Sequence, residues 1–277
     1  MTKRALYLYA GLLMCIVLAL YVSIIYFNVE GMNADIPEKK KGFIDGIDVI
    51  YWINLDRATE RRQRMEEMLK DDALSEVKKI LRVSASDGKN PGMFDEVENA
   101  VTTDPGLYGC GLSHMRCMKM LAESTDEIAL ILEDDATLEY KPYWKERVSE
   151  MLSQAPPDWE IIQLGIILGS GKEFPPNKKF ERTIAGEVWS TIAYLVNNKG
   201  AKRFMDKHYR DGKFVLDKVQ EVISHSADIY LPNNMVEYYY ERPYFTYPLE
   251  NYSYIGDGVS HHIEPKRIVD KVLREQN

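Results

Sequence analysis

Residues 128–135 read IALILEDD, five apolar residues that run straight into three consecutive acids. An apolar run of this length beside turn-forming residues reads as a strand covered on both faces, which requires a sheet with layers above and below it. Carboxylates about 4 Å apart repel by roughly 4 kcal/mol at an effective dielectric of ~20. The strand end is therefore tolerable only if Glu133, Asp134 and Asp135 splay into water or a positive group sits among them.

Short strands alternate with helical patterns along the rest of the chain. DVIYWIN (48–54), KILRVSA (79–85), WEIIQLG (159–165) and VWSTIAYLV (188–196) are β-rich. Between them, Ala58, Met65, Met68 and Leu69 form a helical stripe. Residues 112–124 read as a helix with Ser113 as its cap, and residues 200–208 as another. The alternation predicts an α/β fold with a largely parallel sheet. Ligands of such sheets bind beyond the carboxyl ends of the strands, where Glu133–Asp135 lie.

Residues 5–27 carry no charge. At ~1.5 Å rise per residue they span roughly 35 Å as a helix, enough for a ~30 Å hydrocarbon core. Tyrosines near both ends suit the interfaces, and no small-x-small cleavage site follows. The expectation is a cytosolic stub and single-pass signal-anchor at 1–27, a linker at 28–47 and one domain at 48–277. Lys3 and Arg4 before the span, against Glu30 and Asp35 after it, favour a cytosolic N-terminus and a luminal or exterior domain; Lys39–Lys41 weaken that bias. The net charge of −8 argues against a nucleic-acid partner. Cys110 and Cys117 are ~10 Å apart along one helix, too far for a disulfide.

Glu133 and Asp135 project to one side if the chain stays extended, with Asp134 pointing elsewhere. Mg2+ or Mn2+ takes one or two such carboxylates and completes its shell with water and phosphate oxygens. Solvated acids are the plainer alternative. Arg57, Arg61, Arg62 and Arg64 crowd the turns after the strand at 48–54, where free amides favour an anion. Surface pairs Glu60–Arg64 and Arg62–Glu66, worth a few tenths of a kcal/mol each, are the plainer explanation of these residues taken alone. In GLYGCGLSH (106–114), Gly109 and Gly111 let backbone approach a ligand, with Ser113 and His114 at a helix start. A turn and an ordinary N-cap is the competing reading.

Five blocks in order, INLDRATERR (53–62), GLYGCGLSH (106–114), LILEDDATL (130–138), STIAYLVNNKGAKRFM (190–205) and ADIYLP (227–232), resemble glycosyltransferase family 25. That family includes lipopolysaccharide-biosynthesis transferases and procollagen galactosyltransferases, and the resemblance runs from about Val49 to about His261. It implies a GT-A-like Rossmann-type sheet with flanking helices. It further implies inverting transfer of a hexose, galactose or glucose, from a UDP-sugar to a hydroxyl of a glycan or protein acceptor, with Mn2+ (or Mg2+) on the diphosphate. The metal ligands implied are Glu133 and Asp135; His261, of a residue type that Mn2+ accepts, is the candidate third. Asn54, Asp56, Arg57, Gly109, Ser113, His114 and Asp134 would face the nucleotide. Asp228 would be the base, with Asp257 and Glu187 as fallbacks.

Two positions depart from the pattern. Leu107 stands where the family carries an acid, and Ser260-His261 where relatives read Ser-Asp, so donor-loop detail and metal ligation stay open. A catalytically inactive relative that binds glycans or partners is the alternative. A phosphotransferase lacks support, because no P-loop or kinase signature is present. The aromatic stretch EYYYERPYFTYP (237–248) suits either sugar stacking or core packing.

Overall fold

The computed structural model describes residues 40–98, 104–169, 178–185, 187–216, 226–249 and 259–275, with side chains from residue 263 onward in the last segment. The expected anchor at 5–27 and most of the linker lie outside the described residues. Among the described residues, no helix is long and apolar enough to cross a membrane.

The strands are β1 (Val49–Asn54), β2 (Lys79–Ser84), β3 (Ile128–Glu133), β4 (Ile161–Gln163), β5 (Ile167–Leu168), β6 (Phe180–Arg182), β7 (Val188–Trp189), β8 (Ala193–Asn197), β9 (Tyr209–Arg210), β10 (Lys213–Phe214) and β11 (Glu237–Tyr240). The helices are α1 (Thr59–Met68), α2 (Pro105–Ala122), α3 (Val148–Leu152), α4 (Asn198–His208), α5 (Ala227–Asn234) and α6 (Val259–Glu275). Among the described residues, seven strands form one sheet in the order β2-β1-β3-β8-β4-β11-β6.

Strand β1 is buried at every position, which accounts for its uninterrupted apolar run. Val49, Tyr51 and Ile53 face Leu112 and Met115 of α2, while Ile50 and Trp52 join Met65 of α1 and Val148 and Met151 of α3. Helices therefore cover both faces of the sheet. Each fully buried side chain of this size contributes about 1.5–3 kcal/mol.

The sheet is mixed, a correction to the largely parallel arrangement expected. β1 runs parallel to β2 and β3, but β8 is antiparallel to both β3 and β4. Parallel neighbours need a crossover connection, commonly a helix. The chain instead returns from β4 to β8 through the short strands β5, β6 and β7. The stretch 188–196, expected as one strand, divides at Ser190, whose φ of 129° breaks the extended backbone.

Helix α2 begins earlier than its apolar pattern suggested. Asp104 caps it by accepting from Gly106 N at 3.0 Å and Leu107 N at 3.1 Å, with Pro105 in the first turn. The block GLYGCGLSH is thus helix rather than loop, and Ser113 is not its cap. Gly109 owes its identity to packing: a Cβ there would lie 2.5 Å from Ser86 O. That contact holds the segment after β2 against α2. Cys110 and Cys117 both lie in α2 as free thiols.

The compact unit begins at Lys41. Gly42 N donates to Asp72 O at 2.8 Å, Ile44 N donates to Ala73 O at 2.9 Å, and Ile44 is fully buried. Residues 41–47, assigned from sequence to the linker, belong to this unit.

Candidate functional site

The parallel register pairs Ile53 with Glu133, which brings Asn54, at the end of β1, beside the three acids. Asn54 is buried, and its Nδ2 donates to Asp134 Oδ2 at 2.6 Å and to Ala58 O at 3.2 Å. Its Oδ1 accepts from Arg62 Nε at 3.2 Å and Arg82 Nε at 3.0 Å. Arg61 projects from α1 into the corner, with Nη1 2.8 Å from Asp134 Oδ1 and Nη2 bonded to Asp135 Oδ2. The positive group that the acid cluster demands is thus present in the chain itself.

Glu133 turns away from Arg61. Its Oε1 accepts from Thr191 Oγ1 at 2.5 Å and lies 3.4 Å from Nε2 of the fully buried His114. The other ring nitrogen of His114 meets Tyr194 Oη at 2.9 Å. Cys110, one turn before His114, offers its sulfur to the same space: the ligand atoms of Cys110, His114 and Glu133 lie within 4.8 Å of one another. Thr191 follows Ser190, a buried non-glycine residue in the left-handed region. Such backbone costs about 1–3 kcal/mol and persists where surrounding structure enforces it.

Burial pushes the Asp135 carboxyl up to about 7; the Arg61 charge opposes this and the charges of Glu133 and Asp134 add to it. Asp134 is also raised by burial. For Glu133 burial acts upward too, but the His114 ring, the Thr191 hydroxyl and Arg61 together outweigh it and hold this carboxyl below its usual range. Asp135 Oδ1 is buried with no hydrogen-bond partner among the described residues.

Two cavities meet at this corner. One, of about 380 Å³, is walled by the ends of β1 and β2 and the start of α2, and is lined by Asn54, Arg57, Arg61, Lys89, Ser113, His114 and the three acids. The other, of about 230 Å³, is lined by Leu107, Ser190, Thr191, Ile192, Asp228 and Tyr247 among others. Cys110, Glu133 and Asp135 border both. Burial raises the Asp228 carboxyl above its ordinary range, against the bond from Ser226.

Of the residues singled out from sequence, Asn54, Arg57, Ser113, His114, Glu133, Asp134 and Asp135 line the larger cavity, and Asp228 the smaller. Their chemistry differs from expectation in places. The Ser113 hydroxyl donates to Gly109 O at 2.7 Å and accepts from Ser86 N at 2.9 Å, so it ties α2 together and to the preceding segment. Arg57 Nε donates to Asp87 at 2.7 Å. Asp56 borders neither cavity; its side chain is 72% exposed and accepts from Ser84 and Arg82. Gly109 stands against the Ser86 carbonyl instead of a ligand. Glu187 borders neither cavity, and Asp257 lies outside the described residues. The backbone of His261 belongs to α6, and its side chain lies outside the described residues.

Sequence reasoning passed over Arg61 as the partner of the acids, and Cys110, Thr191 and Tyr194 as neighbours of Glu133. Cys110 and His114, four residues apart, share a helix face, a signal available once the helix is extended back to Pro105. Thr191 and Tyr194 carry no such local signal, because their approach depends on the direction of β8.

The model described as "Glycosyltransferase family 25 (LPS biosynthesis protein)" matches residues 47–217, well over half the chain. The chain belongs to glycosyltransferase family 25. A "Glycosyltransferase 25 family member" of Aedes aegypti is 29% identical over 195 residues, covering 64% of this chain and 31% of that protein. "Procollagen galactosyltransferase 2" of Homo sapiens is 28% identical over 209 residues, covering 66% and 33% respectively. The chain spans about a third of the length of these curated relatives. Among solved structures, a glycosyltransferase involved in glycosylation of the major capsid of PBCV-1 aligns with 81% of this chain and 99% of that chain, at 8% identity and a TM-score of 0.41.

Proposed function

We propose that this chain is a membrane-anchored, metal-dependent glycosyltransferase of GT-A type. In this reading it moves a hexose, galactose or glucose, from a UDP-sugar to a hydroxyl of a glycan or protein acceptor, with inversion. The observation that carries the reading is the meeting of two cavities at Glu133 and Asp135. A donor in the larger cavity and an acceptor in the smaller would abut at that corner, the proximity that a single displacement needs.

The donor set fits a hard cation: Asp135 Oδ1 is buried without a hydrogen-bond partner among the described residues, and the charges of Glu133 and Asp134 lie beside it. Glu133 and Asp135 would hold Mn2+ (or Mg2+), whose charge would offset that of the departing diphosphate. Arg57 and Lys89 supply further positive charge along the same wall. Asp228, across the smaller cavity, would accept the proton of the acceptor hydroxyl, a task that its raised proton affinity suits. The charge-free run at 5–27 supports an anchor, and the flanking charges support a luminal or exterior catalytic domain.

One observation favours a second reading, a catalytically inactive relative that binds glycans or partners. Arg61 already bridges Asp134 and Asp135, and the apolar Leu107 lines the smaller cavity at the position where the resemblance leads to an acid. Calorimetry of UDP-galactose and UDP-glucose with and without Mn2+, followed by mass spectrometry of products from an acceptor panel, separates the two. Metal-dependent heat and a mass gain of one hexose are expected; no nucleotide binding would overturn the enzymatic reading.

A further inference from the structure

We propose that Cys110 Sγ, His114 Nε2 and a carboxylate oxygen of Glu133 form a three-ligand site for a borderline divalent cation of the zinc or cobalt class. This goes beyond glycosyl transfer, because it requires neither nucleotide nor acceptor; it shares Glu133 with the Mn2+ position proposed above and leaves Asp135 to that ion.

The ligand atoms lie within 4.8 Å of one another. Zinc bonds are ~2.0–2.3 Å long, so the three atoms need only draw together by about 1 Å. Cys110 and His114 sit four residues apart on α2, and Glu133 ends β3, so two rigid elements present the set.

The independent observation is the state of His114. Its ring is fully buried, and Nε2, 3.4 Å from Glu133 Oε1, has no hydrogen-bond partner among the described residues. Its Nδ1 is engaged with Tyr194 Oη at 2.9 Å. When Nδ1–H donates to the tyrosine oxygen, the Nε2 lone pair confronts a carboxylate oxygen. In that tautomer a cation takes the place of the Nε2 proton that otherwise pairs the ring with Glu133. Metal-binding histidines are oriented in the same way, through a hydrogen bond from the far ring nitrogen. Thr191 fixes the Glu133 carboxylate in the corresponding manner.

A sulfur, nitrogen and oxygen donor set selects zinc, cobalt and their neighbours over magnesium or calcium. Cys110 and Glu133 border both cavities, so the remaining coordination position opens towards bound molecules rather than into the core.

The test is spectroscopic. The full chain, stripped with chelator and titrated with Co2+, is expected to develop a near-ultraviolet sulfur-to-cobalt charge-transfer band that saturates at one equivalent and is displaced by Zn2+. Cys110→Ser should remove the band, and Tyr194→Phe should weaken Co2+ binding by about 10- to 100-fold. Circular dichroism establishes that each variant is folded, and the wild-type spectrum needs no variant. Absence of Co2+ binding, bound Co2+ without the sulfur band, or a band retained in Cys110→Ser would each overturn the site. Metal-dependent UDP-sugar heat without a sulfur band overturns this site and leaves the transferase reading intact; a sulfur band without nucleotide heat does the reverse.

Discussion

Arg61 Nη1 lies 2.8 Å from Asp134 Oδ1, in an ion pair whose side chains are 11% and 8% exposed. The same guanidinium bonds Asp135. Removing one partner of a buried pair costs about 3–5 kcal/mol, because the other charge stays behind uncompensated. Arg61→Met is therefore expected to lower the urea unfolding free energy by that amount near neutral pH. Adding Asp134→Asn to Arg61→Met should recover part of the loss. A loss below ~1 kcal/mol would mean that the pair behaves as a solvated surface contact.

Asp135 supplies a pH signature. Burial lifts its carboxyl to about 7 from an ordinary value of 3.8, so the folded chain holds a proton that the unfolded chain releases between those values. Stability from this group is complete below the lower value and is lost as pH rises through the upper one. Asp135→Asn stays neutral throughout. Its stability relative to wild type should rise by ~1–3 kcal/mol between acidic and mildly alkaline buffer. Urea midpoints for both proteins across that range provide the measurement, and a constant difference would refute the assignment.

Asp228 is expected to act on the acceptor side alone. Asp228→Asn should leave UDP-sugar affinity unchanged and slow transfer by about 10²- to 10⁴-fold, the usual contribution of a positioned base. Parallel calorimetry and product assays read the two effects. Equal loss of both would remove it as the base.

Ser190 stores backbone strain beside the acids. Ser190→Gly, which adopts a φ of 129° freely, should raise the melting temperature, with a gain of about 1 kcal/mol. Ser190→Val should lower it by at least as much. Opposite ordering of the two variants would show that the serine hydroxyl, which accepts from Ile192 N at 3.2 Å, matters more than the backbone.

Gly109 tests the close contact between α2 and the segment after β2. A methyl group would meet Ser86 O at 2.5 Å, so Gly109→Ala should destabilise by about 1–3 kcal/mol despite improving helix propensity. A stabilised variant would show that the contact relaxes easily.

Much of this architecture is visible in sequence, and its failures have physical causes. β1 and β3 announce themselves because strands buried on both faces need unbroken apolar runs. The acids that end β3 stand out by charge against its apolar run, and they lie where the two cavities meet. The start of α2 is concealed: Gly106, Gly109 and Gly111 read as a loop, yet Gly109 is required by a contact 23 residues away in sequence, at Ser86. Arg61 is visible as a charge but not as a partner, since only the pairing of β1 with β3 brings α1 over Asp134. The reversal of β8 leaves no local trace either, because strand direction is set by the connection and not by the composition of VWSTIAYLV.

That reversal has a consequence for how preferences diversify. Because β8 enters the sheet at the edge where β3 leaves it, the turn at 190–192 and the turn at 133–135 touch while belonging to chain segments built on different scaffolding. Substitutions in the former reach the acids directly, because Thr191 Oγ1 donates to Glu133 Oε1 at 2.5 Å and Ile192 O accepts from Glu133 N at 2.9 Å. A graft of residues 187–192 that keeps Thr191 is therefore expected to change the lining of the smaller cavity while preserving the Glu133 contact.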